Sequence, residues 1–289
     1  MIDFPTAFPA QHQNQHPGLE AEMNPLPIYD ADAYALKGNL LQDKVALVTG
    51  GDSGIGRAVS LAYAKQGAHV AIAYFNESRD AETIKQAIEA IGRTCLLIQA
   101  DITQKAECER VITTTLNHFQ KLDILVNNAA VQIEAQKLED ITDEQFDRTF
   151  KTNVYGTFHI TQAALPHLKS GACIINTTSV VAFHGHDTLI DYSMTKGALT
   201  AFTRSLSLSL AKSKSGIRVN AVAPGPIWTP FIPSSFQADK VAQFGMNTPL
   251  ARAGQPIECA GAYVFLASEA ASYITGQTIH INGGEIVNA

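Results

Sequence analysis

Positive charge is scarce in this sequence: 21 Lys and Arg stand against 27 Asp and Glu, for a net charge of −6. No basic patch or basic run stands out, so a nucleic-acid partner is not expected. Cysteine is also scarce. The four residues, Cys95, Cys108, Cys173 and Cys259, are scattered, with no CxxC and no Cys/His pair at metal spacing. That excludes a disulfide framework and a structural metal site, and points to free thiols in a reducing, cytoplasmic setting. No basic-then-apolar leader opens the chain and no apolar run reaches about 18 residues, so no membrane association is expected. No repeat at solenoid period is present.

What is abundant is apolar residue, 46% of 289. This supports a substantial core in one large domain or two ordinary ones. Residues 1–42 stand apart. They hold five of the twelve prolines (Pro5, Pro9, Pro17, Pro25, Pro27) and the polar stretch QHQNQHPG, and neither helical nor strand period fits them. We expect an arm without a core of its own, partly disordered, above all in its first 20 residues, or packed on a neighbouring subunit. Its Phe4, Phe8, Leu26, Ile28, Tyr29 and Tyr34 supply apolar anchors. His12 and His16 would have metal-ligand spacing on a helix, which Pro17 discourages.

Strand and helix patterns alternate regularly after the arm. Strands are expected at 45–48, 68–74, 94–100, 122–129, 172–179, 217–224 and 277–283. Helices are expected from Ile55 onward and over 78–92, 104–120, 143–169, 190–214 and 256–268. Such alternation implies right-handed crossovers and a parallel sheet covered on both faces. The expected fold is therefore α/β, a single Rossmann-type doubly wound domain over 43–289 with a seven-stranded parallel sheet. Residues 226–250 form a long irregular stretch of the kind that acts as a lid.

Ligands bind at the carboxyl ends of the strands in such sheets, so the residues just past each strand carry the function. The first strand end is VALVTGGDSGIGRAVS (45–60), a strand, a glycine turn and a helix. Glycine permits φ > 0 and close backbone approach, and the helix start offers unpaired N–H groups and a positive dipole end; together they seat a pyrophosphate. A turn of this kind can also serve only to pack helix on sheet. The later strand ends bring Tyr74–Glu77, Asp101–Ile102, Asn127–Ala130, Ser179 and Pro224–Thr229. Tyr192 and Lys196 are four apart at a helix start and share one face. An ammonium about 4–6 Å from a phenol lowers its pKa by roughly 1–3 units from about 10.

The set T-G-G-D-S-G-I-G (49–56), N-N-A (127–129), Asn153, Ser179, Y-S-M-T-K (192–196) and P-G (224–225) resembles the short-chain dehydrogenase/reductase family over about residues 42–284. The glycine loop is similar to that of an N-terminally extended subgroup described as glucose/ribitol dehydrogenase-like or as aldehyde reductases. The resemblance implies an NAD(P)(H)-dependent oxidoreductase acting on a carbonyl/alcohol pair. It implies Tyr192 as general acid/base, and Lys196 as the charge that tunes it and binds the nicotinamide ribose. Ser179 would hydrogen-bond the substrate oxygen, and Asn153 would hold a water linking Lys196 to solvent.

For the cofactor it implies contacts from Gly50, Asp52, Ser53, Gly54, Ile55 and Gly56 in the turn, and from Tyr74, Phe75 and Asn76 after the second strand. Asp101 and Ile102 would border the adenine, followed by Asn128, Ala129 and Ala130, then Thr177. Pro224, Gly225, Ile227 and Thr229 would clamp the carboxamide and pyrophosphate. Ala130 stands where the family has glycine, and Pro224 can also be read as a strand terminator. No metal is implied.

Dinucleotide preference is finely balanced. No carboxylate sits directly at the end of the second strand, where NAD enzymes hold the ribose 2′-OH, and Glu77 reads as a helix-start residue. Ser53, Asn76 and Arg79 could bond a 2′-phosphate, so NADP(H) is slightly favoured over NAD(H). The expected substrate is a small carbonyl or alcohol. Trp228, Phe231, Phe236 and Phe244 suggest apolar aldehydes or ketones, whereas the subgroup suggests sugars and polyols. His184 and His186 read as surface histidines. Leu206, Leu208 and Leu210 with Phe158 suggest subunit contacts in a homotetramer, unless they only pack the core. The alternatives are a dinucleotide-binding redox sensor without turnover, whose relatives lose the tyrosine or lysine kept here, and a dehydratase or epimerase, for which no added acid/base is evident.

Overall fold

The computed structural model describes residues 4–34 and 38–286. Residues 1–3 and 35–37 of the arm and 287–289 of the expected domain lie outside the described residues. Seven short strands, rich in Val, Ile and Ala, pair in parallel: β1 (Val45–Thr49), β2 (His69–Tyr74), β3 (Cys95–Gln99), β4 (Ile124–Asn127), β5 (Cys173–Thr177), β6 (Arg218–Pro224) and β7 (Thr278–Ile281). Their order is β3-β2-β1-β4-β5-β6-β7. The order reverses between β1 and β4, which pair through Ala46–Ile124, Leu47–Leu125 and Val48–Val126. β1, β4 and β5 are buried throughout, as their uninterrupted apolar runs require of strands covered on both faces.

Crossover helices cover the sheet: α1 (Gly54–Lys65), α2 (Ser78–Ala90), α3 (Lys105–Phe119), α4 (Asp143–Phe150) and α5 (Thr157–Ala164). After these come a short α6 (Val181–His184), α7 (Ile190–Lys212), two short helices α8 (Phe231–Ser235) and α9 (Ala238–Ala242), and α10 (Pro256–Ala267). One core packs α1 and α10 against one sheet face, through Val59, Tyr63, Tyr263 and Val264. The other packs α3 and α5 against the opposite face, through Val111, Ile112, Ile160 and Ala164.

Three expectations change. The helix expected over 143–169 is interrupted: a π turn, Lys151–Gly156, separates α4 from α5, and a 3₁₀ turn, Leu165–His167, ends it at Pro166. The Phe146, Phe150 and Phe158 spacing hides this interruption because apolar side chains continue on both sides of it. The 226–250 stretch is less irregular than expected, since α8 and α9 lie within it.

The arm, finally, lies on its own domain. Phe8 and Met23 are buried with Trp228, Ile232 and Phe236 in a third apolar cluster. Backbone and side-chain bonds fasten it: Gln13 N–H to the Pro233 carbonyl (2.7 Å), Ile28 N–H to Gln255 Oε1 (2.8 Å) and Trp228 Nε1–H to the Pro25 carbonyl (2.9 Å). His12 and His16 are engaged by Phe236 and Ser234 through their Nδ1 atoms. The aromatic side chains that stood out in an otherwise polar segment are what dock it.

Candidate active site

A crevice of roughly 770 Å³ opens at the carboxyl ends of the strands, beside the point where the strand order reverses. Such switch points are where doubly wound sheets take ligands. Its floor is the glycine turn. Gly50 (φ +62°) and Gly54 (φ +52°) hold conformations that L side chains rarely adopt. A Cβ at Gly54 would stand 3.0 Å from the Thr229 methyl, and one at Gly56 would run into the Gly50 carbonyl. The turn is thus a cradle whose shape depends on missing side chains. Thr49 and Asn128 tie it to β4: Thr49 Oγ1 accepts from the Asn128 and Ala129 N–H groups, and Asn128 Nδ2 donates to the Thr49 and Gly50 carbonyls.

Most of the expected site residues meet here. Gly50, Asp52, Ser53, Gly54, Ile55, Tyr74, Phe75, Asp101, Ile102, Asn128, Ala129, Ala130 and Thr177 line the crevice, as do Ser179, Tyr192, Lys196, Pro224, Gly225, Ile227 and Thr229. Ser179 lies just past β5 and lines the crevice with Tyr192, whose phenol pKa its hydroxyl draws down. Tyr192 and Lys196 sit one turn apart on α7, with Lys196 Nζ 5.4 Å from the Tyr192 ring centre. Nζ donates to the Thr177 carbonyl at 2.7 Å. Burial dominates both groups: it pushes the Tyr192 phenol well above its ordinary value, with Ser179 drawing it back, and lowers Lys196 to about 7.

Gly56, Asn76 and Asn153 do not line the crevice. Gly56 acts underneath, through its missing side chain. Asn76 turns its amide to the Glu77 carboxylate. Arg79, considered for a 2′-phosphate, is exposed and away from the crevice. Asn153 is fully buried within the π turn, its Oδ1 accepting Val131 N–H (2.8 Å) and its Nδ2 donating to the Val131 carbonyl (2.9 Å) and to Thr195 Oγ1 (3.0 Å). Both side-chain donors are engaged, so the amide braces the β4 exit against α7. π turns recur at functional sites for this reason: they re-aim one residue. The Asn127 amide braces the sheet, donating to Thr161 Oγ1 and Asn176 Oδ1 (both 2.9 Å).

Trp228 is fully buried beneath the arm and does not border the crevice, whereas Phe231, Phe236 and Phe244 do. His186 lies at the edge, and His184 pairs with Glu285 at 3.2 Å. Leu210 is core and Leu206 half-buried, leaving Leu208 and Phe158 exposed.

Glu77 and Gln132 are among the wall residues to which the sequence assigned no contact. Glu77 occupies the position before α2, is buried, and lines the crevice beside Asp52. Burial pushes Asp52 up to about 7, the neighbouring Glu77 adding to the rise, and burial likewise raises Glu77. The place of Glu77, about twenty residues beyond the glycine turn, was the available signal. Gln132, buried at the substrate end, had none.

The family model described as enoyl-(acyl carrier protein) reductase matches residues 50–285. A glucose and ribitol dehydrogenase from Daucus carota is 48% identical over 287 residues, covering 97% of this chain and 98% of its own. A chloroplastic NADPH-dependent aldehyde reductase 1 from Arabidopsis thaliana is 47% identical over 286 residues, covering 96% and 98%. A short-chain dehydrogenase from Burkholderia cenocepacia, solved in complex with NADP, superposes with a TM-score of 0.80 at 33% identity, over 86% of this chain and 99% of that one. With a glycine cradle at the switch point of a seven-stranded parallel sheet and relatives matched over nearly their whole length, the chain belongs to the short-chain dehydrogenase/reductase family and is an NAD(P)-dependent oxidoreductase.

Proposed function

We propose that the protein interconverts a small carbonyl compound and its alcohol, with Tyr192 as general acid/base. The observation that carries this reading is the meeting of Ser179, Tyr192 and Lys196 in one crevice with the glycine cradle. The cradle fits a dinucleotide because Gly50, Gly54 and Gly56 leave no side chain where a pyrophosphate must approach the helix start. When bound, the nicotinamide supplies or accepts the hydride. Tyr192 Oη gives its proton to the substrate oxygen in reduction and takes it back in oxidation. Ser179 Oγ, on the same crevice wall, holds the same oxygen in reach. Lys196, fixed by the Thr177 carbonyl, lowers the phenol pKa when it carries its proton and would bond the nicotinamide ribose. Asn153 positions Val131 and Thr195 around them.

Between dinucleotides, NADP(H) stands slightly ahead of NAD(H), supported by the NADPH-dependent relative and the NADP-bound neighbour. The Asp52–Glu77 pair opposes a 2′-phosphate when ionised, so the preference depends on their protons. The substrate end, walled by Phe231, Phe236 and Phe244 with Gln132 and His186, suits an aldehyde, ketone, sugar or polyol. The assembly is a homotetramer through α4, α5 and α7, whose Phe158 and Leu208 are 44% and 71% exposed. Four free, buried thiols fit a cytoplasmic location, and no helix among the described residues is long and apolar enough to cross a membrane.

The test is hydride transfer across a panel of aldehydes, ketones and polyols, followed by the absorbance of the reduced nicotinamide with both dinucleotides. Tyr192→Phe is expected to keep dinucleotide binding and to lose about a hundredfold or more in turnover. Wild-type protein that binds dinucleotide but transfers no hydride across the panel would overturn the reading in favour of a redox sensor.

A further inference from the structure

The arm sends one buried carboxylate into the glycine turn, and hydride transfer assigns it no part. Glu20 is 1% exposed. Its Oε2 accepts the Gly54 N–H at 2.6 Å, and its Oε1 accepts an Arg57 guanidinium N–H at 2.5 Å. Arg57, itself buried, donates Nε–H to the Asp52 carbonyl at 2.7 Å and pairs with Asp80 at 3.1 Å. Glu20 therefore grips the turn at two points, Gly54 directly and Asp52 through Arg57. Just before it the arm crosses the crevice: the His16 carbonyl accepts from Arg148 at 3.0 Å, and Pro17 and Gly18 line the opening. Gly18 passes so close to the chain ahead of α8 that a Cβ would lie 2.5 Å from the Pro230 carbonyl oxygen.

A buried ion pair is a weak way to dock an arm, since desolvation consumes most of its attraction and apolar side chains do the same task as well. Phe8 and Met23 already do so here. A carboxylate at Gly54 has a different effect. It occupies one N–H of the α1 start and fixes the plane of that peptide, and the next N–H groups, those of Ile55 and Gly56, have no intrahelical acceptor.

We propose that Glu20 is a positioning residue of the dinucleotide site, holding Gly54 and Arg57 from the arm so that the remaining N–H groups of the turn face the crevice. This rests on the reading of the crevice as a nicotinamide dinucleotide site. Its consequence is that Glu20 contributes to affinity for dinucleotide and leaves affinity for the carbonyl substrate alone.

The experiment titrates NADPH and NADH by their fluorescence into wild type, Glu20→Ala and Glu20→Gln, and follows thermal unfolding and the carbonyl KM at saturating dinucleotide. Loss of a charged hydrogen-bond acceptor predicts a dinucleotide Kd raised about tenfold in Glu20→Ala and about threefold in Glu20→Gln, which keeps an acceptor oxygen. The carbonyl KM is expected to stay unchanged. Unchanged Kd values with a lowered unfolding midpoint would overturn the proposal and leave Glu20 as packing only. So would a carbonyl KM that rises in step with Kd. If Glu20→Ala does not fold, Glu20→Gln alone decides, an unchanged Kd counting against the proposal. Wild type that binds neither dinucleotide would overturn the dinucleotide reading itself, and the proposal with it.

Discussion

Phe8 of the arm lies flat on Trp228, just ahead of α8, with ring centres 3.8 Å apart and planes within 7°. One stacked pair thus joins the segment that precedes the domain to the segment that borders the substrate. Both rings are buried, and the Trp228 indole N–H also reaches the arm, at Pro25. Removing the smaller ring should free the arm without unfolding the sheet. Phe8→Ala is expected to weaken arm docking by about 2–4 kcal/mol. Limited proteolysis should then cut within the arm of the variant well before it cuts wild type.

Asp52 ties stability to pH. Its pKa is raised in the fold from 3.8 to about 7. The folded state therefore holds a proton that the unfolded chain releases. That contribution is complete below about pH 4 and disappears as pH rises through about 7. Wild type should show a falling unfolding midpoint across this window. Asp52→Asn, which stays neutral at every pH, should show a shallower fall in the same calorimetric series.

The same pair bears on dinucleotide choice. With Asp52 and Glu77 protonated, a 2′-phosphate meets neutral groups, and with both ionised it meets two negative charges. The ratio of kcat/KM for NADPH over that for NADH should rise as pH falls through about 7. Glu77→Gln removes one charge without changing shape. It is expected to raise that ratio by about tenfold at pH 8, taking an effective dielectric near 20. Steady-state rates with both dinucleotides provide the check.

Exposed apolar side chains on α5 and α7 make the assembly testable. Phe158→Glu combined with Leu208→Glu puts two charges where Phe158 and Leu208 now face outward. The variant should sediment as a smaller species than wild type while each subunit keeps its far-UV dichroism. Equal sedimentation would remove these positions from the interface.

The sheet was readable in the sequence because its central strands β1, β4 and β5 are buried throughout, so no polar residue interrupts runs such as VALV and CII. Ser179, Tyr192 and Lys196 were readable because the first stands at a strand end and the other two one helical turn apart. Glu20 was not. Its partner Gly54 lies 34 positions away, and the arm around it has no period to mark which residues point inward. Glu77 looked like an ordinary helix-start acid and is one, yet the same position also forms the crevice wall. The π turn escaped notice because the apolar spacing through Phe146, Phe150 and Phe158 runs across it unbroken.

That turn carries one residue more than a regular helix would need. Deleting Lys151 or Thr152, ahead of Asn153, would restore an unbroken ladder from α4 into α5, and each residue displaced this way rotates about 100° around the axis. Asn153 would then point away from Val131 and Thr195, the two groups it now joins. The shortened protein would have a sounder helix and a worse catalyst. In this chain the irregularity is the aiming device, and regularity is the mutation to avoid.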